Sequence, residues 1–220
     1  MDKQKALEIM KNAIKIYENQ YINRAILFIY KNKSGELETF EGVFKRHNFL
    51  HLTGVKTDKS PNNFYKLLLD ERLSLNDFSF QKNGNTQRKL QVIEQMGLFL
   101  KNPLIIGYSN GHIYLEKNPE RVIGNNKRLV LGFEKNYPLT LLNEDIKKCT
   151  IADLKVLFIL DKSLGENEYN NFLYIDKSVN KDLLKKLKDK EILEGLEKNY
   201  SYFNEKSKND LLWCGNAPII

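Results

Sequence analysis

Cysteine is scarce in this chain of 220 residues: only Cys149 and Cys214 carry thiols, and they lie far apart with no CxxC pair. That excludes a thiolate-rich zinc knuckle and a disulfide-stapled secreted scaffold, and it suits a reducing, cytoplasmic setting. No apolar run is long enough to cross a bilayer. Met1 to Lys15 alternates charged and apolar residues at helical spacing, unlike a signal peptide, so no membrane partner is expected. The chain also lacks a GxxxxGKS or GxxxxGKT phosphate loop, a GxGxxG turn after a strand and a GxSxG elbow. A nucleotide-triphosphate, dinucleotide or serine-hydrolase site is thereby excluded, and no cofactor is expected. Neither cysteine has a histidine near it in sequence, which leaves thiol catalysis unsupported.

What the chain does have is a modest positive surplus. Lys and Arg number 35 against 28 Asp and Glu, a formal charge of +7, and that favours acidic partners such as nucleic acid. Between Gly42 and Lys66 the surplus sharpens. Lys45, Arg46, Lys56, Lys59 and Lys66 are opposed there by Asp58 alone, with Phe44, Phe49, Phe64 and Tyr65 interleaved. Backbone charge beside stackable rings is what holds single-stranded nucleic acid, although Phe44 and Phe64 read as core. Lys181 to Lys190 mixes five lysines with two aspartates and reads as a solvated helix face.

The length suits one domain with a real core, spanning 1–178, with a C-terminal helix and tail, 179–220, packed on it. Ala6, Met10, Ala13, Ile14 and Tyr17 form one helical stripe. Tyr21 to Lys31 and Leu37 to Phe44 read as a hairpin around Asn32-Lys33-Ser34-Gly35. Ser60-Pro61 starts a helix with Phe64, Leu67 and Leu68 on its buried face. A second helix is expected from Asn85 or Thr86 through Leu90, Ile93, Gly97 and Leu100. Strands follow at Ile105 to Tyr108, His112 to Leu115, Arg128 to Phe133, Leu139 to Leu142, Leu154 to Leu160 and Asn171 to Ile175, before a late helix marked by Val179, Leu183 and Leu187. Helices segregated from a meander of strands predict an α+β fold, an N-terminal helix and a helical pair packed on a largely antiparallel sheet.

The segment Asn48 to Gly54 is the leading candidate for chemistry. Read as extended, it projects His51 and Thr53 together from the face opposite Leu50 and Leu52. An imidazole titrates near neutrality and can pass protons, while a neighbouring hydroxyl can bind a phosphate oxygen. The plainer alternative is a strand-end histidine satisfying a local hydrogen bond. His47 lies four residues before His51, but Asn48 stands where an HExxH metalloprotease has glutamate, and in an extended segment their Cα atoms are about 13 Å apart, so no shared zinc is expected. Arg88 and Lys89 near the start of the second helix hint at an anion site. Tyr174 and Ser178, at the end of the last strand, reach the same cleft if that strand neighbours the His51 segment. His112 reads as a surface hairpin residue. Asp70-Glu71 and Glu144-Asp145 read as surface charge, although carboxylates scattered like these can also build a metal nuclease.

Phe49-Leu50-His51-Leu52-Thr53-Gly54, the Phe64-Tyr65-Lys66 helix, the Arg88 helix and the Phe172 to Ser178 strand together resemble a phage-associated branch of the barnase, EndoU, colicin and RelE-like nuclease superfamily. The resemblance covers Tyr21 to Ser178. It implies a metal-independent endoribonuclease with helices before an antiparallel sheet, of the kind used as toxins in conflicts among phages, mobile elements and hosts. By that resemblance His51 is the general acid or base, and Thr53, Lys56, Arg88 and Ser178, with Lys45 and Arg46 from the basic cluster, bind RNA phosphates. A second proton carrier is needed, and Tyr174, a lysine or His47 can fill that role. The expected partner is RNA, with an antitoxin or host defence protein as a further one. The rival reading is a nuclease-like module without catalysis that binds and inhibits a host defence complex.

Overall fold

The computed structural model describes residues 1–111, 119–125, 128–169 and 171–179, together with Leu183, Leu187, Ile192 and Glu194. His112, the strand expected around it and the tail from Trp213 to Ile220 lie outside the described residues.

Helix α1 (Lys3–Gln20) starts where the Asp2 carboxylate accepts the Lys5 amide at 2.7 Å, and it buries Ala6, Met10, Ala13, Ile14 and Tyr17, the stripe expected from spacing. Strands β1 (Arg24–Lys31) and β2 (Leu37–Val43) form the expected hairpin, in register from Ala25 opposite Val43 to Lys31 opposite Leu37. Asn32 holds the turn, its side-chain oxygen accepting the Glu36 amide.

The next segment departs from expectation. Asn48 to Thr53 is not extended but a short helix, α2 (Asn48–Thr53), which buries Asn48, Phe49, Leu52 and Thr53. Burial at i, i+1, i+4 and i+5 follows the helical period, whereas the Leu50/Leu52 alternation spans too few residues to fix a strand. Gly54 ends the helix in the left-handed region at φ 67°, with its amide on the Leu50 carbonyl, a geometry a glycine accepts without a Cβ clash.

Helix α3 (Pro61–Leu69) has the expected Ser60 cap and first-turn proline. The expected second helix is broken into α4 (Asn85–Leu90), a 3-10 turn at Ile93–Gln95 and α5 (Met96–Phe99). Val92, at φ −122°, leaves the helical region between them, and the Tyr21 hydroxyl donates to the Met96 carbonyl at 2.7 Å inside the core. Tertiary bonding overrides local propensity here.

Six more strands complete an antiparallel sheet: β3 (Ile105–Tyr108), β4 (Arg121–Gly124), β5 (Leu129–Glu134), β6 (Tyr137–Asn143), β7 (Leu154–Ser163) and β8 (Asn171–Ile175). Their order is β2-β1-β7-β3-β4-β5-β6, with β8 pairing β7 beyond the end of β3. The sheet curls until its ends meet, where the Val43 amide donates to the Asn136 carbonyl at 2.8 Å. Its concave face packs on the helices in one core that joins Met10, Ile14 and Tyr17 to Ile26, Phe28, Ile106, Ile123 and Phe133. The opposite face of β1 and β7 forms a second cluster around Leu27, Ile29 and Phe158. Leu187, expected on a helix, instead makes an isolated parallel bridge with Leu37 and is buried in that second cluster.

Candidate functional site

Helix α2 lies against the β5–β6 hairpin, and the two enclose a cleft of about 460 Å³ lined by His47, Asn48, His51, Glu134, Lys135, Tyr137, Pro138 and Leu139. That is room for a nucleotide-sized ligand. The helix, not a strand, sets its chemistry. His47 has helical backbone angles immediately before Asn48, so His47 and His51 stand one turn apart with Cβ atoms about 5–6 Å from each other. The separation expected of an extended segment is thereby corrected. Among the described residues no group of three or more His, Cys, Asp or Glu is placed to hold a metal ion.

Each wall is fixed by identifiable bonds. Asn48 accepts the Lys45 amide at 2.9 Å, and the Tyr17 hydroxyl donates to the Lys45 carbonyl at 3.0 Å, which anchors the start of α2 on α1. At the other end, the Thr86 hydroxyl donates to the Gly54 carbonyl at 2.6 Å, and the buried Lys89 ammonium donates to the His51 carbonyl at 2.7 Å. The last carbonyls of a helix have no partner inside it, and a cation there is favourable. On the facing wall, Glu134 pairs with Tyr137 across a two-residue loop, Lys135–Asn136, with Lys135 at φ 53°. A left-handed lysine is uncommon, and this one lines the cleft. The Lys45 ammonium lies 4.5 Å from the centroid of the Tyr137 ring, so a second cation stands at the rim.

A second, smaller cleft of about 220 Å³ follows along β6, lined by Asn85, Arg88, Lys89, Arg128, Leu141, Leu142, Asn143 and Glu144. Leu139 lines the first cleft and Leu141 the second, so the two are about 7 Å apart along the strand. Arg88, expected to bind phosphate, is exposed and lines this cleft together with the exposed Arg128.

The remaining expected residues are placed elsewhere. Thr53 does not project beside His51: it is fully buried, and its hydroxyl donates to the Leu50 carbonyl at 2.8 Å, as a short helix directs it inward. Arg46 pairs with Glu18 of α1 at 3.0 Å, and Glu18 also accepts the Tyr65 hydroxyl. Lys56 is exposed on a backbone bridge to Ser79 and lines neither cleft. Tyr174 and Ser178 are not brought to His51. β8 runs beside β7, and both hydroxyls donate to Asp176, which also takes the Lys155 ammonium at 2.7 Å. Burial and the bond to Asp176 hold the Tyr174 phenol well above its ordinary range, so it keeps its proton. Cys149 is buried, and burial pushes its thiol up to about 11, which fits a packing role.

Sequence reasoning missed Glu134, Lys135 and Tyr137 as wall residues. The signal available was Lys135-Asn136 between two apolar runs, a hairpin-turn pattern; which element the turn would face was not readable.

A family model described as phage-Barnase-EndoU-ColicinE5/D-RelE like nuclease4 matches residues 9–178. The match takes in most of α1, which the resemblance read from the sequence left outside, and it ends at Ser178. No curated protein and no solved structure matches the chain.

Proposed function

The chain belongs to the phage-Barnase-EndoU-ColicinE5/D-RelE like nuclease family, and from that premise we propose that it is a metal-independent endoribonuclease whose acid–base pair is His47 and His51. The observation that carries the proposal is the pairing of two imidazoles, one helical turn apart, in a nucleotide-sized cleft with Lys135 on its wall.

RNA cleavage without a metal needs three services. A base takes the proton of the ribose 2′-hydroxyl as its oxygen attacks phosphorus. An acid delivers a proton to the departing 5′ oxygen, and cations offset the charge gathering on the phosphoryl oxygens. One histidine serves a single proton role at a time, which is why the companion matters. His51 and His47 take the two proton roles, and Lys135 and Lys45 supply the charge. Along β6, Arg88 and Arg128 hold a further phosphate of the same strand. The product is a 2′,3′-cyclic phosphate and a 5′-hydroxyl end. The expected setting is a phage or mobile element, with the protein acting as a toxin or effector on cytoplasmic RNA and held in check by an antitoxin.

The test is incubation of the purified protein with a mixed RNA pool in EDTA, followed by mapping of new ends. Cyclic-phosphate ends from the wild type, absent with His51→Ala, support the proposal. RNA left intact by the wild type refutes it for that pool and favours the binding-module reading, to which the structural employment of Thr53, Tyr174 and Ser178 also points.

A further inference from the structure

Side chains two apart on a strand share a face, so the concave side that buries Ile106 and Ile123 also carries Tyr108 of β3 and Arg121 of β4, which pair directly in register. The same face carries Tyr30 of β1 opposite Glu38 of β2, with Phe40 two residues on. Burial ends along this face: Ile106 is 0% exposed, whereas Tyr108 is 54% exposed. An aromatic ring left open at the end of a buried face needs a reason.

Arg121 supplies one. Its guanidinium carbon lies 4.1 Å from the centroid of the Tyr108 ring, with the Tyr30 and Phe40 centroids at 5.8 and 5.9 Å. Its two terminal nitrogens donate to the Tyr30 and Tyr108 phenolic oxygens at 2.7 and 2.9 Å. Tyr30, accepting from Arg121, turns its own proton to Glu38 at 2.9 Å, and Glu38 also accepts the Asn32 amide at 2.8 Å. The chain of bonds from Asn32 to Tyr108 holds the guanidinium against an exposed ring, so the platform is set before any ligand arrives. Two of five guanidinium donors are used among the described residues. None of these residues lines the His47–His51 cleft.

We propose that Tyr108 and Arg121 form a stacking subsite for an unpaired base of single-stranded RNA, on the open end of the concave face and outside the His47–His51 cleft. A flat ring beside a planar cation accepts the π-face of any base, and a positive charge at the same place welcomes the neighbouring phosphate. The inference rests on the RNA reading above, and it adds that the substrate is single-stranded and is gripped away from the bond that breaks.

The test uses the full chain carrying His47→Ala and His51→Ala, in EDTA, titrated into a labelled oligoribonucleotide with and without its complement. Adding Tyr108→Ala should weaken single-strand binding about 5- to 150-fold, the range for losing one stacked base. Tyr108→Phe keeps the ring and should stay within about three-fold of the parent, and duplex binding should not move. Because Tyr108 is exposed, thermal melts of all variants should coincide, separating lost stacking from lost fold. Tight parental binding that Tyr108→Ala leaves unchanged overturns the subsite alone. A parent that binds neither strand form overturns the nucleic-acid reading and the subsite with it.

Discussion

The ammonium of Lys89, buried at 4% exposure on α4, sits 2.7 Å from the carbonyl oxygen of His51 on α2. Lys89, whose place beside Arg88 hints in sequence at an anion site, is instead the clamp on the helix that carries His51 and follows His47. Lys89→Met keeps the aliphatic stem and deletes the bond, so it should cost about 1.5–3 kcal/mol, the usual worth of a hydrogen bond to a charged group. Urea unfolding measures this, and RNA cleavage should fall with it as α2 loosens. A midpoint equal to that of the wild type would show that Lys89 clamps nothing.

Gly54 closes the same helix. At φ 67° a Cβ would lie 2.7 Å from the Lys89 Cδ, so Gly54→Ala meets both backbone strain and the clamp itself. We expect a loss of about 1–2 kcal/mol from the left-handed conformation alone, read by thermal or urea denaturation. A neutral result would place the turn in another conformation.

Just past β8, Asp176 gathers the Lys155 ammonium, the Ser178 amide and hydroxyl, and the Tyr174 hydroxyl. Burial pushes its carboxyl up, but these bonds outweigh burial and hold it at about 2. A carboxylate depressed on folding contributes stability above its unfolded value of about 3.9 and loses that contribution as pH falls through the folded value. Asp176→Asn should therefore be less stable than the wild type at neutral pH, and the gap should narrow as the pH falls from about 4 toward 2. A gap independent of pH would contradict this assignment.

Arg88 and Arg128 both line the smaller cleft. If each holds a phosphate, Arg88→Ala and Arg128→Ala should weaken RNA binding evenly across sequences. Each should also reduce the slope of log affinity against log salt by about one. Unchanged salt slopes would remove this cleft from the RNA path.

The α+β class and its antiparallel sheet were legible because long patterned segments, such as the α1 stripe and the Tyr21 to Phe44 hairpin with its Asn32 to Gly35 turn, speak for themselves. The His51 segment was not. Six residues can satisfy either period, and only the buried pair Asn48 and Phe49, with Gly54 as a left-handed stop, distinguishes helix from strand. That one difference reversed the site: it sent Thr53 inward and brought His47 beside His51 as the candidate partner. β4 went unread because it is only four residues long and its last, Gly124, opens the sequence Gly124-Asn125-Asn126, which reads as turn chemistry, and Tyr174 and Ser178 went astray because strand order is a property of the whole chain.

In the proposed reaction two imidazoles share the proton transfers, and the pH dependence of single-turnover RNA cleavage in EDTA tests that most directly. The wild type should give a bell, with one limb for the base and one for the acid. His47→Ala and His51→Ala should each fall by about 100-fold or more and keep only one limb. Wild-type rates and an intact bell in either variant would rule out the His47–His51 pair.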